Sequence, residues 1–258
     1  MGTGMDDAGA QRAGRGAPVV ARLDDADTTV GQRRIEWGGP FKLVGALAGL
    51  VALGWVLGVV AQDVLANPLD GPVFRFVVRN RSDGLTSVAG ALTNLGAPAL
   101  LLVVVVGLGW AWWAWRATPV PLVMLLVAWL GAEVLFNAVK LIVDRPRPPT
   151  ALAIQHFGGL AFPSGHATQA VAVWGMVTAL AFLSARARRD KVAVLVVAVT
   201  IAAVVGVTRV YLGAHWASDV FGGWLLGALW IGAVLWIVRP SKRLDANRPD
   251  GLVVDTNV

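Results

Sequence analysis

Six long apolar runs, separated by short polar links, dominate the pattern of hydrophobic and polar positions along the chain. The runs lie near residues 43–61, 98–115, 120–143, 166–185, 192–208 and 217–238. Each run approaches or exceeds the roughly 20 mostly apolar residues that a helix needs to cross a bilayer. The pattern therefore predicts an all-α, polytopic membrane protein folded as a bundle of six transmembrane helices.

The segments that flank the apolar runs have a different composition. Residues 1–41 are rich in Gly, Ala, Asp and Arg without apolar periodicity, which predicts a disordered tail. Residues 239–258 form a second polar tail. Because no signal-peptide pattern opens the chain, the first run is expected to remain as a membrane helix. The predicted organisation is one membrane domain, residues 42–238, between two tails.

Composition supports the membrane class and excludes several chemistries. Of the 258 residues, 56% are hydrophobic and 15% are charged, against about 25% charged in soluble domains. The chain has no cysteine, which excludes disulfides, thiolate metal sites and a cysteine nucleophile. Basic residues on the cytoplasmic side of a membrane protein account for the net charge of +6, so no nucleic-acid partner is expected.

The distribution of basic residues predicts the orientation in the membrane. Of the 22 Lys and Arg residues, 15 lie in the two tails, with Lys42, and in the links after the second and fourth runs. Basic residues collect on the cytoplasmic side, so both termini are expected in the cytoplasm and the chain in the inner (plasma) membrane. The links after the first, third and fifth runs then face outwards.

The first outward link, residues 62–97, has two interpretations. It alternates apolar residues with Arg75, Arg79 and Arg81. Its apolar residues near 73–78 fit an amphipathic helix on the membrane surface, where it can guide a lipid head group. They fit a plain loop equally well.

Three clusters of chemically capable residues lie where runs meet the outward links, and the first ends the third run. Glu133, Asn137 and Lys140 are spaced to share one helix face, which is expected to look into the bundle. Arg147, in a chain held extended by prolines, can offer a planar fork to phosphate oxygens, while Lys140 is a point charge. Alone, this cluster is equally well explained as a basic loop.

The second cluster, Pro163-Ser164-Gly165-His166, opens the fourth run. Ser164 is a good N-cap residue, and Gly165 lets the backbone approach a ligand closely. A helix N-terminus is a ready anion site, and His166 can give a proton to a leaving oxygen. A simply capped helix explains the serine but leaves His166 unexplained.

The third cluster, Arg209 with His215 and Asp219, joins the fifth and sixth runs. His215 and Asp219 are four residues apart, so on a helix they lie one turn from each other. A carboxylate on one imidazole nitrogen fixes the tautomer and frees the other nitrogen as base, nucleophile or metal ligand. The groups around the histidines are cationic, so no metal is expected.

In order and spacing, these clusters resemble the signature of the type 2 phosphatidic acid phosphatase (PAP2) superfamily. The matching positions are Lys140 with Arg147-Pro148, Pro163 to His166, and Arg209 with His215 and Asp219. One departure is Thr208, where the family usually has serine; threonine keeps the hydroxyl. The resemblance covers about residues 62–232 and includes the six-helix order.

The resemblance implies a metal-independent membrane phosphatase that needs no cofactor and forms a phosphohistidine. In such enzymes the equivalent of His215 attacks phosphorus, Asp219 orients it, and His166 protonates the leaving oxygen and later assists water. The phosphate-binding residues that the resemblance implies are Lys140, Arg147, Ser164, Gly165 and Arg209.

An outward-facing site suits a lipid phosphate as substrate, with membrane lipids as the surroundings. Polyprenyl (undecaprenyl-type) diphosphate is favoured, because recycling that carrier needs an outward-facing phosphatase; phosphatidate and phosphatidylglycerophosphate are alternatives. A non-catalytic lipid-binding or transport protein is an alternative of another class, although binding alone does not need both His166 and His215. A vanadate-dependent haloperoxidase shares the site architecture but is soluble. The oligomeric state is left open.

Overall fold

The computed structural model describes residues 40–154, 158–184 and 187–238. The helices of these ranges are α1 (Pro40–Asp63), α2 (Gly71–Arg79), α3 (Asp83–Leu92), α4 (Pro98–Arg116), α5 (Val120–Val143), α6 (Gly165–Ser184), α7 (Arg188–Tyr211) and α8 (Ala217–Ile237). A short π-helix (Ala66–Asp70) and two 3-10 turns (Thr93–Gly96 and Thr150–Leu152) complete the pattern. Both predicted tails lie outside the described residues, apart from the start of α1.

The six predicted membrane spans correspond to α1, α4, α5, α6, α7 and α8. Within the described residues these are the helices long and apolar enough to cross a bilayer. The expectation of an all-α, multi-pass membrane protein is confirmed. The fifth span is longer than its apolar run, because the charged residues at 188–191 continue the helix beyond the apolar part.

Helix α6 lies at the centre of the bundle, where it packs against α5, α7 and α8. Small residues on α8 let α6 and α8 approach closely. A Cβ atom at Gly223 would lie 2.7 Å from the carbonyl oxygen of Ser164, and one at Gly227 would lie 2.7 Å from that of Thr168. In a bilayer, where helix association depends on close packing, such contacts fix the start of α6 against α8.

The segment between α1 and α4 is helical, so the plain-loop interpretation of residues 73–78 is wrong. On α2, Phe74 is buried and packs edge-on against the ring of Trp216, whereas Phe76 is exposed. Arg81 fastens the start of α3 to the end of α7, donating from Nε to the Tyr211 carbonyl at 3.0 Å. These contacts hold α2 and α3 over the ends of α7 and α8.

Candidate active site

The three clusters predicted from the sequence meet at one end of the bundle. There α5 and α7 end and α6 and α8 begin, so the links that carry the clusters are neighbours. The ends enclose an open pocket of about 330 Å³. Its lining consists of Pro98, Phe136, Lys140, Arg147, Gly158, Gly165, His166, Arg209 and His215. Ser164 and Asp219 are fully buried and do not line the pocket.

The first turn of α6 is tied to the first turn of α8. The backbone N–H of Ser164 donates to the Asp219 carbonyl at 3.0 Å. Ser164 Oγ in turn accepts from the backbone N–H of Ala167 at 3.5 Å, which caps the helix as the sequence suggests. Gly165 faces the ring of Phe136, which a Cβ would meet at 3.0 Å. The N-terminus of α6 is thus held at the pocket, in a position suited to an anion.

Backbone carbonyls of the link between α5 and α6 hold the cation of α5. Lys140 Nζ donates to the Leu160 carbonyl at 2.6 Å and to the Ala161 carbonyl at 3.3 Å. The link itself is anchored nearby, because the Ala161 N–H donates to the Arg145 carbonyl at 2.8 Å. The ammonium group is therefore held in place at the pocket wall.

Two arginines supply the other positive charges of the pocket. Arg147 Nε donates to the Gly159 carbonyl at 3.0 Å, and its Nη1 donates to the Ala214 carbonyl at 2.6 Å. Burial is the main reason why the pKa of Arg147 is lowered from its usual value. Arg209 Nη1 donates to Thr93 Oγ1 at 3.0 Å, a contact between α7 and the turn before α4. Three cations thus converge on a pocket sized for a small anion.

His215 lies buried between a cation and a carboxylate. Its Nε2 is 3.3 Å from Arg147 Nη1, and its Nδ1 is 3.5 Å from Asp219 Oδ2. Burial, together with the positive charges of Arg147 and Lys140, holds the pKa of His215 well below its usual range. The imidazole is therefore neutral near pH 7. With a proton on Nδ1, next to the carboxylate, Nε2 accepts from Arg147 Nη1 beside the pocket.

The predicted polar face of α5 is only partly turned into the bundle. Glu133 Oε2 accepts from Gln169 Nε2 of α6 at 2.9 Å, so this carboxylate faces the interior as expected. Asn137, by contrast, is exposed and donates back to Glu133 at 3.2 Å. The side chains of α5 that share this face therefore divide between the pocket, the helix interface and the surface.

Sequence reasoning missed two residues that the structure places beside the site, Asp70 and Arg145. Arg145 lies two residues before Arg147, yet its guanidinium lies outside the pocket lining and pairs with Asp70 and Asp219. The sequence held one signal for Arg145: it is a charged residue close to a membrane span, and such a residue needs a partner when it is buried. Nothing in the sequence pointed to Asp70 as that partner.

The donor set of the site suits an anion. The described residues contain no group of three or more His, Cys, Asp or Glu side chains able to hold a metal ion. Charged groups that line the pocket are cations, and the two histidines stand beside them. Cations and a helix N-terminus around a neutral imidazole can hold a phosphoryl group and attack it.

Comparison with known proteins assigns this arrangement to a family. The PAP2 superfamily model matches residues 121–243. Phosphatidylglycerophosphatase B of Bacillus subtilis (strain 168) is 37% identical over 166 residues, which cover 62% of this chain and 78% of that protein. The chain belongs to the PAP2 superfamily.

A solved structure shows the same fold. It is the crystal structure described as the first transmembrane PAP2 type phosphatidylglycerolphosphate phosphatase from Bacillus subtilis. The two structures agree with a TM-score of 0.66 at 30% sequence identity, covering 77% of this chain and 98% of the other. The protein is accordingly a multi-pass membrane phosphatase of lipid phosphates, a hydrolase of phosphate esters.

Proposed function

We propose that this phosphatase removes the terminal phosphate of phosphatidylglycerophosphate. The observation that carries the proposal is the 37% identity to phosphatidylglycerophosphatase B over 78% of that protein. The structural neighbour bears the same activity in its description. These relatives favour a glycerol-based phosphomonoester over the polyprenyl diphosphate expected from the sequence, for which they give no specific support.

The reaction proceeds in two displacements at phosphorus. Nε2 of His215 attacks, a P–N bond forms, and the P–O bond to the glycerol oxygen breaks. His166 gives its proton to that oxygen, so the alcohol leaves neutral. Water then attacks the phosphohistidine while His166 takes a proton from it. Inorganic phosphate departs, and both histidines return to their starting states.

The phosphate-binding residues act by charge and position. Lys140, Arg147 and Arg209 hold the three non-bridging oxygens, and the N–H of Gly165 adds a donor at the start of α6. Ser164, whose hydroxyl is buried as a cap, supports that N-terminus. In the free enzyme, Lys140 and Arg147 donate hydrogen bonds to backbone carbonyls. Substrate oxygens replace some of these acceptors, at little cost in side-chain ordering.

The site lies on the outer face of the plasma membrane, with both termini in the cytoplasm. The support is the concentration of Lys and Arg in the tails and in the links opposite the site. The pocket opens at the ends of α5 to α8, next to Pro98 and Phe136. A lipid head group can therefore reach the cations while its acyl chains stay in the bilayer.

Phosphate release by the purified protein in detergent tests the proposal. Phosphatidylglycerophosphate, phosphatidate and a polyprenyl diphosphate are offered separately, each with EDTA present. We expect the highest kcat/KM for phosphatidylglycerophosphate, no effect of EDTA, and no release by His215→Ala. Preference for the polyprenyl diphosphate would overturn the substrate assignment. Release by folded His215→Ala would overturn the assigned nucleophile.

A further inference from the structure

Behind the pocket, one buried arginine joins two carboxylates. Nη2 of Arg145 donates to Asp70 Oδ2 at 2.7 Å, and Nη1 donates to Asp219 Oδ1. The exposed fraction of the three side chains is 3% for Arg145, 1% for Asp70 and 0% for Asp219. Charges this deeply buried persist only when they are paired and hydrogen-bonded.

Further hydrogen bonds join the same groups to their surroundings. Nη1 of Arg145 donates to Ser218 Oγ at 2.7 Å, and Nη2 donates to the Ala61 carbonyl at 3.0 Å. Asp70 accepts from the backbone N–H of Ser218 at 2.9 Å and from its hydroxyl at 2.6 Å. The π-helix after α1, the loop after α5 and the start of α8 are thereby fixed together at one point.

The second oxygen of Asp219 faces the nucleophile. Oδ2 accepts from the backbone N–H of Trp216 at 2.8 Å and lies 3.5 Å from Nδ1 of His215. Arg145 therefore holds one oxygen of the carboxylate whose other oxygen lies beside Nδ1 of the imidazole. Its guanidinium is absent from the pocket lining, so it acts on the carboxylate and not on the phosphate.

We infer that Asp70 and Arg145 are positioning residues, which fix the Asp219 carboxylate and through it the ring orientation and tautomer of His215. The inference rests on the proposed role of His215 as nucleophile. Asp70 sets the direction of the guanidinium, and Arg145 sets the rotamer of Asp219. Partners that orient metal-ligating histidines are commonly worth about 10- to 100-fold in activity, and we expect the same range for a nucleophilic histidine.

Turnover kinetics of Asp70→Asn and Arg145→Gln provide the first test. We expect kcat for phosphatidylglycerophosphate to fall about 10- to 100-fold in each variant, with KM changed less than about threefold, because neither residue lines the pocket. In an Asp219→Asn background, Arg145→Gln should lower kcat by no more than about threefold, since the group it acts through is already altered. An equal loss in both backgrounds would overturn the inference.

Histidine NMR provides a test that needs no substrate. The chain has three histidines, so ¹⁵N-histidine labelling gives three imidazole signal sets, and His215→Gln identifies the one of interest. We expect His215 to carry its proton on Nδ1 in the wild type and to lose that single tautomer in Arg145→Gln. An unchanged His215 signal set in folded Arg145→Gln would contradict the inference.

Matched variants separate positioning from folding. Arg189→Gln and Asp190→Asn change exposed charges at the start of α7, the helix end away from the pocket, and should leave kcat and the His215 signals unchanged. Ser218→Ala removes two hydrogen bonds to charged groups, from Arg145 and to Asp70, without removing a charge, and should lower kcat about 10-fold. If Arg145→Gln does not fold, Ser218→Ala still tests the inference. Full kcat in all the folded variants among Ser218→Ala, Asp70→Asn and Arg145→Gln would overturn the inference.

The two proposals fail in different ways. A wild-type protein that hydrolyses no lipid phosphate, but whose His215 tautomer depends on Arg145, would refute the proposed function and support the positioning role. If the wild type is active, and Asp70→Asn and Arg145→Gln change neither the His215 signals nor kcat, the positioning role alone is refuted.

Discussion

Arg147 and Asp219 flank His215 on opposite edges of its ring. The guanidinium Nη1 lies 3.3 Å from Nε2, and the carboxylate Oδ2 lies 3.5 Å from Nδ1. In the proposed mechanism the cation keeps the pocket-facing nitrogen free of a proton, and the carboxylate stabilises the positive charge that develops on the ring when Nε2 bonds to phosphorus. The arrangement is the one that the proposed nucleophile requires, since a single imidazole would both attack and carry the phosphoryl group.

The loss of rate on removing His166 should depend on the leaving group. The more its oxygen needs a proton, the larger the loss should be. With the lipid substrate, His166→Ala removes the proposed general acid and should lower kcat about 100- to 10,000-fold. With p-nitrophenyl phosphate, whose leaving oxygen needs little protonation, the burst of nitrophenol should be nearly retained and the phosphoenzyme should accumulate. Rapid-mixing absorbance measures the burst. Equal losses of the first step on both substrates would contradict the assigned role.

The depressed pKa of His215 makes protein stability depend on pH. In the unfolded chain the pKa of its imidazole is about 6.5, whereas the folded pKa lies well below that value. Between the two pKa values the unfolded state binds the extra proton, so the free energy of unfolding falls as pH falls below about 6.5. It levels off only below the folded pKa.

Removing the imidazole should remove that part of the pH dependence. Between about pH 7.5 and about pH 5.5, the Tm of the wild type in detergent should fall further than the Tm of His215→Gln. All other titrating groups are common to the two proteins and cancel in the comparison. Parallel Tm curves would show that the folded pKa of His215 is not depressed.

A lysine should not replace Arg147. The guanidinium reaches the Gly159 carbonyl through Nε and the Ala214 carbonyl through Nη1, and a single ammonium cannot reproduce that fork. Loss of one hydrogen bond to a charged group corresponds to a fall in kcat/KM of about 10- to 100-fold in Arg147→Lys. Steady-state phosphate release measures it. Arg189→Lys, at an exposed position at the start of α7, is the control; an equal loss there would argue for a nonspecific effect.

The stability of the protein should depend on the close packing of α5 against α8. A Cβ at Gly131 would overlap the indole of Trp230, which is buried and donates through Nε1 to the Ala128 carbonyl at 3.1 Å. Gly131→Ala should therefore destabilise the protein by about 1–3 kcal/mol. Gly232→Ala, where a Cβ has open space around it, should be neutral or slightly stabilising. Thermal unfolding in detergent compares them, and similar Tm values for both variants would contradict the packing argument.

Much of the fold could be predicted because its signals are local. A run of about 20 apolar residues has few alternatives to a spanning helix, and alternation of direction places the links after α1, α5 and α7 at one end. The convergence of Lys140, His166 and His215 follows from that geometry. Residues 62–97 were ambiguous, since short amphipathic helices and loops share their composition.

The support behind the site could not be predicted, because it depends on pairing across the whole chain. Asp70 meets Ser218 across 148 positions of sequence. Arg145 stands beside Arg147 in a basic, proline-rich loop, and local sequence does not distinguish a phosphate ligand from a buried ion-pair partner. Only the packing of the π-helix against α8 makes that distinction.

Trapping the phosphoenzyme tests the central claim most directly. Wild type and His215→Ala are mixed with phosphatidylglycerophosphate carrying ³²P in its terminal phosphate, with EDTA present, and quenched within one turnover. The account predicts protein-bound label in the wild type that survives alkali, is lost in acid and maps to His215, with none in the variant. Turnover without any such label, or label on another residue, would contradict it.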